Sequence, residues 1–370
     1  MDKKVISWIT FNAYLDTDLY VVKELSQFYY IKWYIIKSGN DKIDYINELK
    51  EFDSITSCQL EIVECGRRMR HPECIGSYIK LLKRVCGEKS DLLYTSLGGA
   101  PFYVPIIAKK APIDKTILAI HNVHVPKGGT FYSFYKFYNK YGIKRFKHFQ
   151  TFSISQRDIL KEMVGEKDVF YAPFILRDFG AVTRKRVDKK ITFLNFGNIR
   201  QYKRIDVLIQ AAQIAYERTK IPFKVIIAGK CDDWEQYQKL IKYDFLFDLR
   251  LSRIENEEIP NLFNESDFFV APYQDIAQSA SAIIALNYEK PIVASKLPAF
   301  EEYIIHQKNG YLIKPADIDE LADVIENVLK NHDEIYPKLR EYQMKIKRED
   351  FVTANTIKKY REFIDEIISR

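Results

Sequence analysis

Several groups of residues in this sequence have types and spacings that could do chemistry. Asp16-Thr17-Asp18 places two carboxylates one residue apart, just behind the first apolar run. Such a pair can hold a divalent ion, but an N-cap with acidic first-turn residues explains it without one. At the carboxyl end of a first strand, Asp16 and Asp18 remain candidate contacts to a substrate hydroxyl. Asp232-Asp233 likewise reads as a helix start. His121 closes the apolar run TILAIH, where a strand end presents its imidazole to a ligand, with His124 as its competitor. Gln278-Ser279-Ala280 follows another apolar run and opens a helical pattern. Small residues there let a phosphate approach backbone N–H groups at the positive end of a helix dipole; a plain serine N-cap is the simpler reading.

The elements that position these residues are legible from apolar patterning. In the second half, ITFLNFG (191–197), FKVIIAG (223–229), DFFVAPY (267–273) and PIVAS (291–295) read as buried strands. Helical patterns over 204–216, 233–243, 257–264 and 278–288 alternate with them, which predicts a parallel sheet wound in right-handed βαβ units. Asp317 to Glu320 has capping-box spacing before LADVIENVL. The first half offers strands over 5–9, 31–37, 60–64, 91–97, 116–121 and 148–155. Residues 177–190 are polar and aperiodic and read as a linker. The expected architecture is two doubly wound, Rossmann-like α/β domains, residues 1–176 and 191–349, facing each other across a cleft. A C-terminal helix over 350–370 is expected to pack back on the first.

Composition narrows the class. The chain has 370 residues, 47% hydrophobic and 29% charged, which excludes a disordered or fibrous protein. Its net charge of +7 lies wholly in the first half: residues 1–175 hold 26 Lys and Arg against 19 Asp and Glu, and the remainder holds 31 of each. One half is therefore expected to face an anionic partner. Lys127 to Phe149 carries six basic residues, nine Phe or Tyr and no acid, a composition suited to an anionic lipid surface. It would also suit single-stranded nucleic acid, but no nucleic-acid motif accompanies it, or an aromatic helix packed on its own domain. Five cysteines without CxxC spacing argue for reduced thiols. No run approaches the ~20 apolar residues of a spanning helix, and the amino terminus reads as a strand rather than a signal peptide. A cytoplasmic protein, peripheral on the inner face of a membrane, is the expectation.

FGNIRQYKRIDVLIQA, VIIAGK, APYQDIAQSASAIIALNYEKPIVAS and EEYIIHQKNGYLIKPADIDELADVI, in that order over 191–331, resemble the donor-binding half of the family-4 (group 1) glycosyltransferases of GT-B type. The first half resembles that family at DLLYTSL, at AIHNVHVPKGG with Pro126, and at SISQRDIL followed by VFYAPF. The resemblance implies sugar transfer from a nucleoside-diphosphate sugar to a glycan or lipid-linked acceptor, retaining and without a metal or other cofactor, in surface-glycan or glycolipid assembly. Metal-dependent transferases of the other fold use a D-x-D pattern, which Asp16-Thr17-Asp18 matches only in letters.

Residue by residue, the resemblance puts the diphosphate lysine at Lys203, six residues after Gly197, with Arg200 replacing an arginine that usually follows the glycine where Asn198 stands. Gly197, Gly229, Gln278, Ser279 and Ala280 line the donor, and Glu302, or Glu301 under a one-residue slip, binds sugar or ribose. His121 contacts the transferred sugar or a phosphate. The family's paired glutamates fall on Ile276 and Ile284, with Asp275 beside the first. That departure leaves room for a binding subunit of a glycan-assembly complex without strong activity.

Overall fold

The computed structural model describes residues 3–43, 45–69, 71–96, 100, 102–124, 132–177 and 179–370, with backbone alone at 132–136, 138 and 139. The described residues divide into two compact units: those up to 124, those from 132 to Ile175 and Thr353–Arg370 form one, and those of Leu176–Val352 the other.

The first unit holds strands β1 (Val5–Phe11), β2 (Tyr30–Lys37), β3 (Cys58–Glu64), β4 (Leu92–Ser96), β5 (Thr116–Ala119), β6 (His148–Thr151) and β7 (Asp168–Tyr171). Its helices are α1 (Leu15–Leu25), α2 (Ile46–Lys50), α3 (Cys74–Gly87), α4 (Tyr103–Lys110), α5 (Tyr132–Arg145) and α6 (Ile154–Val164). The second unit holds β8 (Thr192–Phe196), β9 (Lys224–Ala228), β10 (Phe247–Arg250), β11 (Phe268–Ala271), β12 (Ile292–Ser295) and β13 (Gly310–Ile313). Around them run α7 (Ile205–Thr219), α8 (Glu235–Gln238), α9 (Ile259–Asn264), α10 (Ala280–Asn287), α11 (Pro298–Glu301) and α12 (Ile318–Asp350). A last helix, α13 (Thr353–Ser369), returns to the first unit.

Both sheets are parallel and doubly wound, in the orders β3-β2-β1-β4-β5-β6-β7 and β10-β9-β8-β11-β12-β13. Alternation along the central strands builds a core on each face. In β1, Ile6 and Trp8 face one cluster while Ile9 and Phe11 face the other; in β8, Phe193 lies opposite Leu194 and Phe196. Covered on both faces, these strands are mostly apolar rather than alternating, the pattern of a parallel sheet. Helix α13 buries Ile357, Tyr360, Ile364 and Ile367, a spacing that keeps them on one helical face, against Trp8 and Tyr94. Gln150 ties it down by donating to the Tyr360 hydroxyl at 2.5 Å. Each such fully buried side chain contributes ~1.5–3 kcal/mol.

Three local differences from the sequence reading have physical causes. The helix expected over 233–243 stops at Gln238, because the Gln213 side chain captures the Lys242 and Tyr243 N–H groups and donates to Leu240 O at 3.0 Å. The strand expected over 148–155 ends at Thr151, where Ser153 caps α6 by accepting from Gln156 N. Residues 177–190 lie along the second unit rather than free: Asn261 Oδ1 accepts from Thr183 N and Arg184 N at 2.9 Å, and Arg186 makes a bidentate pair with Asp267.

Candidate active site

In a doubly wound sheet the strand order reverses at one point, and the loops leaving the carboxyl ends there diverge to leave a crevice. In the second unit that point falls between β8 and β11, and the loops after these strands carry most of the candidate residues. The first loop depends on two glycines. Gly197, with φ +106°, ends β8; Gly229, with φ +142°, ends β9. A Cβ on Gly229 would sit 2.3 Å from Gly197 O, so the turns touch backbone to backbone. From there a 3-10 turn, Gln201–Lys203, swings Lys203 inward before Arg204, in the left-handed region at φ 51°, opens α7.

Lys203 is only 7% exposed. Its Nζ lies 2.9 Å, and the Ser281 hydroxyl 2.7 Å, from where a Cβ of Gly197 would be, so ammonium and hydroxyl meet over a bare Cα. The Tyr273 ring is 5.6 Å from Nζ, and no carboxylate forms an ion pair with it among the described residues. Burial, with the nearby Arg200 charge adding to it, pulls the Lys203 ammonium down to about 8. A buried cation in that condition gains when an anion arrives. Opposite it, Ser279 caps α10 by accepting from Ala282 N at 3.3 Å, and Gln278 Oε1 is buried without a hydrogen-bond partner among the described residues. Ala280 is the first residue of α10.

Arg200 is half exposed and pairs with Asp232 at 3.1 Å, which Lys230 also holds at 3.2 Å. Asp232 thus steadies Arg200 instead of opening a helix. Arg204 is clamped by Asp206 and by Gln274 Oε1 at 2.9 Å, and Gln274 N donates to Tyr202 O at 2.8 Å. These bonds lock the loop after β8 to the loop after β11. Ile276 and Ile284 pack against the core that holds Phe269 and Leu286. Glu302 is the half-buried residue closing α11, on the carboxyl-end side of the sheet, beside exposed Glu301. Sequence reasoning did not single out Ser281 or Tyr273. The second serine of Gln278-Ser279-Ala280-Ser281 was the available signal for the first; the aromatic had none.

In the first unit, His121 follows β5 and lies in a ring stack, 3.8 Å from Tyr14 and 4.3 Å from Phe152 between centroids. Burial pushes its imidazole down to about 3, so it is a neutral hydrogen-bonding group at any physiological pH. Its Nε2 has no partner among the described residues. His124 N donates to Gln156 Oε1. Asp18 corrects the sequence reading: it is 1% exposed and accepts from Thr10 Oγ1 at 2.7 Å and Trp8 Nε1 at 3.1 Å. Its carboxyl, raised by burial to about 7, is bonded inside the core rather than presented at the open end of β1. Asp16 stays half-buried in the first turn of α1. Leu97, Pro126, Lys127, Gly128 and Gly129 lie outside the described residues.

Comparison with known proteins turns this geometry into a class. The chain superposes on a glycosyltransferase from Rickettsia africae with a TM-score of 0.73 over 100% of both chains, at 15% identity. It superposes on Anabaena HepE in complex with UDP-glucose with a TM-score of 0.72 over 98% of this chain and 99% of that one, at 14% identity. Likeness at such identities is one of fold, and the fold is that of the GT-B glycosyltransferases. An uncharacterized glycosyltransferase of Methanocaldococcus jannaschii is 21% identical over 225 residues, 57% of this chain. The chain spans only 56% of that relative's length. Residues 177–349 match the family described as glycosyl transferases group 1. That match covers 173 of the chain's 370 residues and falls wholly within the second unit.

Proposed function

We propose that the chain moves a sugar from a nucleoside-diphosphate donor, seated on the second unit, to a hydroxyl of a glycan or lipid-linked acceptor, without a metal and with retention at the anomeric carbon. The observation that carries this reading is the buried, carboxylate-free Lys203 facing Ser281 over Gly197. In the step itself the bond from anomeric carbon to phosphate oxygen breaks. The acceptor oxygen bonds that carbon from the same face, and its proton goes to the departing diphosphate. Charge grows on the diphosphate as the bond opens, and in this reading Lys203, Arg200 and the N–H groups at the start of α10 neutralise it. Gly197 and Gly229 keep the loop close enough for a backbone approach. Glu302 is the candidate acceptor of sugar or ribose hydroxyls, and the neutral His121 is a candidate hydrogen-bonding contact to the transferred sugar.

Calorimetry with a panel of UDP and GDP sugars, followed by acceptor-dependent turnover, tests the reading. Binding of one donor with turnover supports it. No nucleotide binding at all favours the second reading, a binding subunit, which Ile276 and Ile284 in place of the family's acids recommend.

The pH series has a definite sign. With Lys203 lowered to about 8 in the free protein, a bound diphosphate favours its charged form, so binding above that pH must take up a proton. Affinity for UDP is expected to be flat below about pH 7 and to weaken above about 8 by up to about tenfold per unit. Lys203→Gln should flatten the curve. An affinity independent of pH between 7 and 9.5 in the unaltered protein would remove Lys203 from the diphosphate.

The acceptor side of the proposal includes peripheral contact of Lys127 to Phe149 with an anionic membrane on the cytoplasmic side, each basic group near such a surface being worth ~1 kcal/mol. Flotation should recover more protein with anionic than with neutral vesicles, and the excess should vanish when Lys136, Lys140 and Lys144 become glutamine. Equal recovery with both vesicle types counts against the contact.

A further inference from the structure

The diphosphate seat proposed above is built from two loops. The loop after β8 brings Lys203, and the loop after β11 leads through Gln278 and Ser279 to Ser281 in α10. Gln274, in the second loop, bridges to the first twice. Its backbone N–H donates to Tyr202 O at 2.8 Å, and its Oε1 accepts from Arg204 Nη1 at 2.9 Å, 70 residues away along the chain. Lys203 is the residue between those two anchors. The Tyr202 ring also meets the Tyr273 ring edge-on, 6.1 Å between centroids, and that Tyr273 ring lies 5.6 Å from Lys203 Nζ.

The Arg204 anchor is a side chain, and a second residue aims it. Asp206, in the first turn of α7, accepts from Arg204 Nε at 3.0 Å and from Nη2 at 2.8 Å, which leaves Nη1 for Gln274. A planar guanidinium serves two partners at fixed angles in this way; a lysine ammonium on its single stem does not. Arg204 also stands at φ 51° and ψ 51°, a left-handed conformation that glycine adopts more readily. Its bridge gives that position a reason to hold a residue other than glycine.

We propose that Arg204 is a positioning residue for Lys203: its bridge from Asp206 to Gln274 holds the lysine in its buried seat over Gly197, facing Ser281. The inference deepens, and rests on, the reading of Lys203 as the diphosphate contact. Without the bridge the residue after Lys203 is freed from the loop after β11, and the ammonium turns to water. A departing diphosphate then meets a cation that must first be drawn back, and a group that must reorganise stabilises developing charge less than one already in place.

Gln274→Ala carries the test, because it removes the far end of the bridge without changing any charge. Arg204→Gly removes the near end and suits the backbone, so one variant reports if the other does not fold by circular dichroism. Each should lower kcat for sugar transfer by about tenfold while leaving the donor KM within about twofold. Arg204→Lys should recover part of the loss. The double variant should be no worse than Arg204→Gly alone, as expected of two residues acting through one contact. A second measurement follows Lys203 itself in the ligand-free full chain, by the carbon-13 signal of its Cε, identified by its disappearance in Lys203→Met. Burial puts its midpoint at about 8 in the unaltered protein, and release into water should carry it toward the ordinary lysine value of about 10.4. Arg200 on its own loop and Tyr273 on the facing one stay in place in these variants, so the shift reports position. A shifted midpoint in a chain that turns over no donor upholds the positioning and removes the diphosphate reading. A midpoint unmoved in Gln274→Ala, or turnover undiminished in both single variants, overturns the proposal.

Discussion

Replacing Lys203 by alanine is expected to lower sugar-transfer turnover at saturating donor by about 10²–10³-fold, the usual loss when one preorganised group facing developing charge is removed. A second substitution separates chemistry from folding. Lys203→Met keeps the side-chain stem that fills the space beside Tyr273 and removes a charge that burial disfavours. It should therefore be as stable as the unaltered protein, or more so, while being equally inactive. Activity and stability moving in opposite directions is the mark of a residue held in place for function. Turnover close to that of the unaltered protein in either variant would end the assignment of Lys203.

Gly229→Ala should be among the most damaging single methyl additions in the second unit. The added carbon meets Gly197 O at 2.3 Å and Gly197 C at 2.6 Å, both backbone, in a conformation at φ +142° that L side chains rarely adopt. No rotamer relieves a backbone clash, so the turns after β8 and β9 must separate and the seat of Lys203 goes with them. A loss of about 3–5 kcal/mol is expected, read as a lowered urea midpoint, with nucleotide binding lost in parallel. Gly76→Ala is the control. It lies inside α3 with nothing within 4 Å of the new carbon, and should leave stability unchanged or raise it by up to ~1 kcal/mol. Equal midpoints for Gly229→Ala and the unaltered protein would contradict the packed turns.

Most strands found from the sequence have both faces covered, although the half-exposed edge strand β3 was found as well. β8, β9, β11 and β12 are mostly apolar because the doubly wound arrangement buries nearly every side chain they carry, half-buried Lys224 at the start of β9 excepted. β7, β10 and β13 escaped: DVFY and FDLR are half-buried edge strands of four residues with charges in the run, and GYLI opens on a glycine whose Cβ would meet Ile292 O at 2.1 Å. The loop that carries Lys203 was legible as a candidate donor contact only through its resemblance to a family, since an Asn-Ile-Arg-Gln-Tyr-Lys run is otherwise a basic surface loop. Asp18 shows the opposite failure. Its spacing from Asp16 invited a solvent-facing reading, whereas Trp8 and Thr10, on the same inward face of β1, had already drawn it into the core. Burial of that kind is decided by strands and helices distant in sequence, which local spacing does not report.

Helix α13 also bears on how the molecule is made. The residues that close the core of the first unit over Trp8 and Tyr94 are translated after the whole of the second unit. On a ribosome, residues 176–352 can therefore complete their fold while the earlier-made sheet, covered in part by α1, still lacks the rest of its cover. That sheet waits, with the α13 part of its apolar face open to chaperones, for residues 353–369 to emerge.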